Sequence, residues 1–112
     1  MGQQKRGRVR IDTNGHGNLI HGRNILPELQ GIVDSMSISL NAQSKALYNE
    51  ICKPSFKDAY EWVLSFVREA KKVIPQVQVT VVALPGVDIE ECRRIAAELD
   101  VQLRVRELDI VG

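Results

Sequence analysis

The side chains able to do chemistry in this sequence fall at the ends of alternating runs. Asp12-Thr13-Asn14 follow "RVRI", Ser39 and Asn41 close "DSMSISLNA", and Arg104 and Arg106 lie in "VQLRVREL". Asp12 and Asn14 are acceptors suited to vicinal ribose hydroxyls, and Ser39 and Asn41 suit an amino-acid moiety. A guanidinium pairs with a carboxylate or phosphate, so Arg104 and Arg106 read either as substrate ligands or as ion-pair partners of Asp12. His16 and His21 occupy the glycine-rich "NGHGNLIHG", but their spacing supplies no third metal ligand, and they read as loop histidines. Gly15 and Gly17 read as residues permitting positive φ rather than as a phosphate cradle. Cys92 falls on an apolar helical stripe and reads as a small buried hydrophobe. Cys52, beside Lys53 and Pro54, is open to a second reading as an activated thiol. Ser35 and Ser37 have no base placed by any motif and read as interior hydrogen-bonding groups.

The elements that must position these residues follow from periodicity. "GRVRID" alternates and reads as a strand; "NILPELQG", with Asn24 as N-cap and Gly31 as a stop, reads as a short helix. "VDSMSISLNA" is a second strand, and "AQSKALYNEIC" a short helix ended by Pro54. Ser55 with Asp58 has the spacing of a capping box for a long helix, whose stripe is Ala59, Trp62, Val63, Phe66, Val67, Ala70, Val73 and Ile74. On that pattern Trp62 and Phe66 are core residues. Pro75 ends the helix, "QVQVTVVAL" is the third strand, and Pro85-Gly86 its exit turn. Asp88 and Glu91 repeat the capping box ahead of a stripe of Ile89, Cys92, Ile95, Ala96 and Leu99, and "VQLRVREL" is the fourth strand. The order β-α-β-α-β-α-β implies right-handed crossovers and a parallel sheet.

Each strand has one apolar and one polar face. Val9 and Ile11 oppose Arg8, Arg10 and Asp12; Met36, Ile38 and Leu40 oppose Ser35, Ser37, Ser39 and Asn41. Val77, Val79 and Val81 oppose Gln78 and Thr80, and Val101, Leu103 and Val105 oppose Gln102, Arg104 and Arg106. A sheet covered by helices on both sides has nearly continuous apolar strands, which these are not. The pattern fits helices on one face and a polar concave face, as in an arc of a barrel around a ligand. Ligands of parallel sheets sit at the carboxyl ends of the strands, where Asp12-Thr13-Asn14 fall. A hairpin at Asn14-Gly15 would need a β-rich return strand, and "HGNLIHG" has no such character.

At 112 residues the chain reads as one domain, residues 8–112, preceded by a basic tail over 1–7 ("MGQQKRG"). A net charge of +1 predicts no electrostatic pull toward nucleic acid or membrane. No apolar run nears the ~20 residues of a membrane span, no signal peptide is visible, and two cysteines are too few for a disulfide scaffold. These features make the cytoplasm the expected location.

"RIDTNGHGN", "VDSMSISLNA", "YNEICKP", "VTVVALPGVDIEECRRIAAEL" and "RVREL" followed by "VG" together resemble the later half of radical SAM enzymes, most of all the TatD-associated subgroup. The "DTNG" element also resembles the glycyl-radical activating enzymes. The resemblance implies a partial (β/α)6 TIM-like barrel in which this chain supplies the fourth strand onward. It implies that Asp12, Thr13 and Asn14 contact the ribose of S-adenosylmethionine, that Ser39 and Asn41 contact its ribose or methionine portion, and that backbone at Val82, Ala83 and Leu84 flanks adenine. The family's CxxxCxxC, which holds a [4Fe-4S] cluster, is absent from this sequence. The expectation is therefore the carboxy-terminal portion of a radical SAM enzyme that needs a missing N-terminal half of the barrel and is not competent alone. The alternative is a stand-alone binding or assembly module that completes its sheet with a second copy of itself. An enzyme using Cys52 or the two histidines is a third reading.

Overall fold

The computed structural model describes residues 9–15, 26–54 and 57–107. Four parallel strands form one sheet in the order β1-β2-β3-β4: β1 Arg10–Thr13, β2 Ser35–Ser39, β3 Gln76–Val82 and β4 Gln102–Arg106. A 3-10 turn, Leu26–Leu29, precedes β2; α1 (Lys45–Cys52) and α2 (Ala59–Val73) connect β2 to β3; α3 (Ile89–Leu99) connects β3 to β4. All of these pack on one face of the sheet, as the alternation of the strands requires. The basic tail, both histidines, Arg8, Gly17 and the Asn24 cap lie outside the described residues.

In-register rows build the apolar face. Ile11, Met36 and Val77 form one row; Thr13, Ile38, Val79 and Leu103 form the next; Val81 and Val105 form a third. Against them α2 lays Val63, Phe66, Val67 and Ala70, and α3 lays Cys92, Ala96 and Leu99, all buried. Burial of this apolar surface, at roughly 25 cal/mol per Å², drives folding.

Local signals explain the ends of the helices. Ser44 caps α1 by accepting from the Leu47 N–H, and Lys53 ends it in a left-handed conformation just before Pro54. Asp88 accepts from the Glu91 N–H, one half of the capping box expected before α3, while the Asp88 N–H donates to Gln43 and the Glu91 carboxylate accepts from Arg94. Before α2 the expected Ser55 cap lies outside the described residues, and Asp58, expected inside the first turn, is not in the helix. That helix starts at Ala59, and Asp58 is its flanking residue, left-handed at φ 58° with no capping bond. Its carboxylate is drawn instead to Lys45 on α1, which also reaches Glu61 at 3.1 Å. The segment expected as a short helix before β2 is a four-residue 3-10 turn, closed by Gly31 at φ 83°.

Trp62 corrects the expected core. Its exposure is 45 %, while Tyr60, outside the expected stripe, is buried. At about 100° per residue the buried positions of α2 centre near Val63 and Ala70, which leaves Trp62 on the flank of the stripe. Tyr60 takes the inward place because its hydroxyl finds a partner, donating to the Ala42 carbonyl at 3.0 Å. Its ring meets that of Tyr48 at 5.2 Å between centroids. Burial raises the pKa of both phenols to about 12. A raised phenol pKa means that the neutral form is favoured by folding, so this stabilisation is full below pH 10 and is lost as pH rises through 12. Alkaline unfolding followed by tyrosinate absorbance and far-UV circular dichroism is expected to fall in that window. A Tyr60→Phe variant is expected to titrate with one fewer late phenol.

Candidate functional site

The face of the sheet away from the helices carries the polar rows. Arg10, Ser35 and Gln76 are in register; Asp12, Ser37, Gln78 and Gln102 follow; Ser39, Thr80 and Arg104 come next; Val82 and Arg106 end the series. Ser37 is the hub. Its hydroxyl oxygen accepts from Gln78 Nε2 at 2.6 Å and from Arg10 at 3.3 Å, while Arg10 also faces Asp12 at 3.6 Å. Ser37 and Thr80 are buried, and Arg10 and Gln78 reach over Ser37 from the neighbouring strands. The network binds the three strands laterally and leaves Ser37 without an activating base among its partners, as expected for an interior hydrogen-bonding group.

The carboxyl ends of the strands place the expected ligand residues unevenly. Asp12, Ser39, Arg104 and Arg106 share the polar face, with Asp12, Arg104 and Arg106 exposed. Thr13 stands in register with Ile38, on the helix side, and its hydroxyl accepts from the Gly15 N–H at 3.1 Å. Thr13 therefore shapes the turn. Asn14 is exposed and continues past the strand. Gly15 answers what "DTNG" does locally: it is buried, at φ 79°, and a Cβ there would meet Ile38 Cγ2 at 3.2 Å and Val63 Cγ2 at 3.3 Å. The glycine turns the chain down onto the core at the point where Asp12 and Asn14 face outward.

Asn41 adopts a left-handed conformation, φ 67°, and its side-chain amide donates to Cys52 Sγ at 3.3 Å. Cys52 is half-buried at the end of α1, and Tyr48 lies against it. Cys92 is fully buried, and burial first, then Asp88 and Glu91, pushes its thiol pKa up, which suits an inert core residue. After β3 the Ala83 N–H donates to the Arg106 carbonyl at 2.9 Å and the Leu84 N–H to the Val82 carbonyl at 2.8 Å, which folds residues 82–84 over the end of the sheet. Gln43 ties the neighbouring loops together: its amide donates to the Gly86 carbonyl and its carbonyl accepts from the Asp88 N–H, both at 3.0 Å. Nothing in the alternation of the strands signals this clamp, since Gln43 lies outside them.

Asp12 and Arg104 are on opposite edge strands, about 14 Å apart at the usual strand spacing, so they form no ion pair within one chain. The partner of Asp12 is Arg10. At the amino ends of the strands a cleft of about 640 Å³ is lined by Arg10, Ser35, Ser37, Gln76, Gln78 and Gln102 and bordered by the Lys71–Asp100 ion pair at 2.7 Å. It lies nearer the amino ends than Ser39, Arg104 and Arg106, although Ser37, Gln78 and Gln102 share the row of Asp12. Strand alternation identifies its floor but not the helix residues on its rim.

Among the described residues no group of three His, Cys, Asp or Glu side chains is placed to hold a metal ion. The two cysteines do not form the thiolate set of a [4Fe-4S] cluster: one is sealed in the core on α3 and the other is engaged by Asn41 on α1. Among the described residues no helix is long and apolar enough to cross a membrane. No family model, curated protein or solved structure matches the chain.

Proposed function

We propose that the chain is the carboxy-terminal portion of a radical SAM-type enzyme, supplying part of an S-adenosylmethionine and substrate site and not competent alone. The observation that carries this reading is the one-sided parallel sheet, whose open polar face carries Asp12 on β1, Ser39 on β2 and Arg104 and Arg106 on β4 toward the carboxyl ends of three of its four strands. Such an arc, with helices outside and polar residues inside, is the architecture of a ligand-lined barrel wall. In this reading Asp12 and Asn14 accept hydrogen bonds from ribose hydroxyls, Ser39 and Asn41 face the methionine portion, and the backbone of Val82, Ala83 and Leu84 flanks adenine. Arg104 and Arg106 hold a substrate carboxylate. The cluster that cleaves the nucleotide belongs to a CxxxCxxC-bearing half of the barrel, which the two cysteines of this chain do not replace.

Nuclear magnetic resonance of the isotope-labelled chain, titrated with S-adenosylmethionine to about 10 mM, tests the reading within the affinity range of a partial site. Amide shifts are expected at residues 12–15, 39–41 and 82–84. An Asp12→Ala variant is expected to weaken binding by about 1–3 kcal/mol through loss of charge-assisted hydrogen bonds. Shifts confined to the amino-end cleft, or no shifts at all, reject it.

A further inference from the structure

We infer that a second copy of this chain closes the sheet, β4 of each copy pairing in parallel with β1 of the other to form an eight-stranded barrel. Among the described residues both β1 and β4 pair on one side only, which leaves a row of backbone donors and acceptors on each edge. The strands run in sequential order, all parallel, with the helices outside. Continuing the same rotation through four more strands closes a barrel of the size whose interior side chains fill. A two-fold axis along the barrel keeps every strand parallel and makes both junctions identical, the isologous arrangement commonest in protein dimers. Open polar faces on parallel sheets are rare, and this closure removes one.

Charge selects the second copy as the occupant. Asp12, its side chain 77 % exposed, is the one carboxylate among the strand residues of the polar face, and it stands on β1. Arg104 and Arg106, both exposed, stand on the same face of β4. Within one chain the width of the sheet separates them. Across a β4–β1 junction the two strands lie about 4.8 Å apart, which brings the guanidiniums of one copy beside the carboxylate of the other. Arg10, one row nearer the amino ends, bonds Ser37 and lies 3.6 Å from one oxygen of Asp12, and the mostly exposed carboxylate keeps acceptor capacity for the arginines of the other copy. Each carboxyl-end rim then takes Asp12 and Asn14 from one copy and Arg104 and Arg106 from the other, so the site is incomplete in a single chain. The inference stands apart from the proposed function: it gives the β1 edge to a second copy where that reading gives it to an N-terminal half of the barrel, and the edges pair whether or not a nucleotide is present.

Sedimentation equilibrium of the 112-residue chain at micromolar concentration is expected to give twice its mass of 12.6 kDa. Asp12→Lys alone, and Arg104→Glu with Arg106→Glu in another chain, each place like charges at both junctions and are expected to weaken association about tenfold or more. Mixing these two variant chains restores opposite charges at both junctions, and the mixture is expected to dimerise as the native chain does. Far-UV circular dichroism checks that each variant is folded, and Asp12→Asn with Arg104→Gln replaces any that is not, with weakened association again expected. A native chain that stays monomeric at about 100 μM, in the affinity range where stable dimers form, overturns the inference. So does a dimer indifferent to the single variants, or one that the mixture fails to restore. The monomeric outcome would assign the two edges to a different chain segment without bearing on nucleotide binding, which the titration above reads separately.

Discussion

Replacing Gly15 with alanine is expected to destabilise the fold by about 2–4 kcal/mol, more than is usual for so small a change. Two costs add. The backbone stands at φ 79°, where an L side chain is strained by roughly 1–2 kcal/mol. The new Cβ would also press on Ile38 Cγ2 and both Cγ atoms of Val63 at 3.2–3.4 Å, tighter than ordinary contact, and overpacking of this kind costs roughly 1–3 kcal/mol. Neither neighbour gives easily, since Ile38 is fixed in a central strand and Val63 in the buried stripe of α2. Thermal unfolding measures the effect, with a loss of roughly 10 °C in midpoint expected for a chain of this size. A shift of only a degree or two would mean that the turn is not held against the core, and with it the placement of Asp12 and Asn14 would lose its support.

Ile38→Ala is expected to cost about 3–4 kcal/mol. Ile38 is completely buried in β2, between Thr13 of β1 and Val79 of β3 in register, and its loss leaves a cavity beneath α2 that two paired neighbours prevent from collapsing. The two substitutions share an atom contact, so they should not be additive. With Ile38 Cγ2 gone, the Cβ of an alanine at position 15 keeps only Val63 as a close neighbour. The double variant is then expected to be less destabilised than the sum of the singles by about 0.5–1 kcal/mol. Urea unfolding of the four proteins of this cycle reads the difference directly. Full additivity would place the cost of Gly15→Ala in the backbone and the Val63 contacts, with none at Ile38.

The sequence carried the architecture because its signals are local. Alternation at period two marks the strands and their polar faces, and Asp88 with Glu91 and the Lys53-Pro54 break mark helix ends through contacts a few residues apart. The same locality explains the misreadings. Ser55 and Asp58 have the spacing of a capping box, but Asp58 lies within reach of Lys45 on another helix, and the ion pair across that gap takes the carboxylate. Trp62 fits an apolar stripe read by residue type. Its place on the flank is set by which side of α2 the sheet covers, and Tyr60 goes inward because Ala42, eighteen positions away, offers its carbonyl.

The candidate site divides in the same way. By itself the sequence determined that Asp12, Ser39, Arg104 and Arg106 belong to polar strand faces, since side-chain direction in a strand follows from position parity. Only the tertiary structure decided that Thr13 serves its own turn, that Asn41 is held by Cys52, and that Gln43 clamps two loops, because each of these depends on which neighbour lies within hydrogen-bond reach. It also decided that Asp12 and the two arginines stand on opposite edges of the sheet. Strand order is fixed by crossovers spanning tens of residues, and no pattern inside a strand encodes which strand will lie beside it.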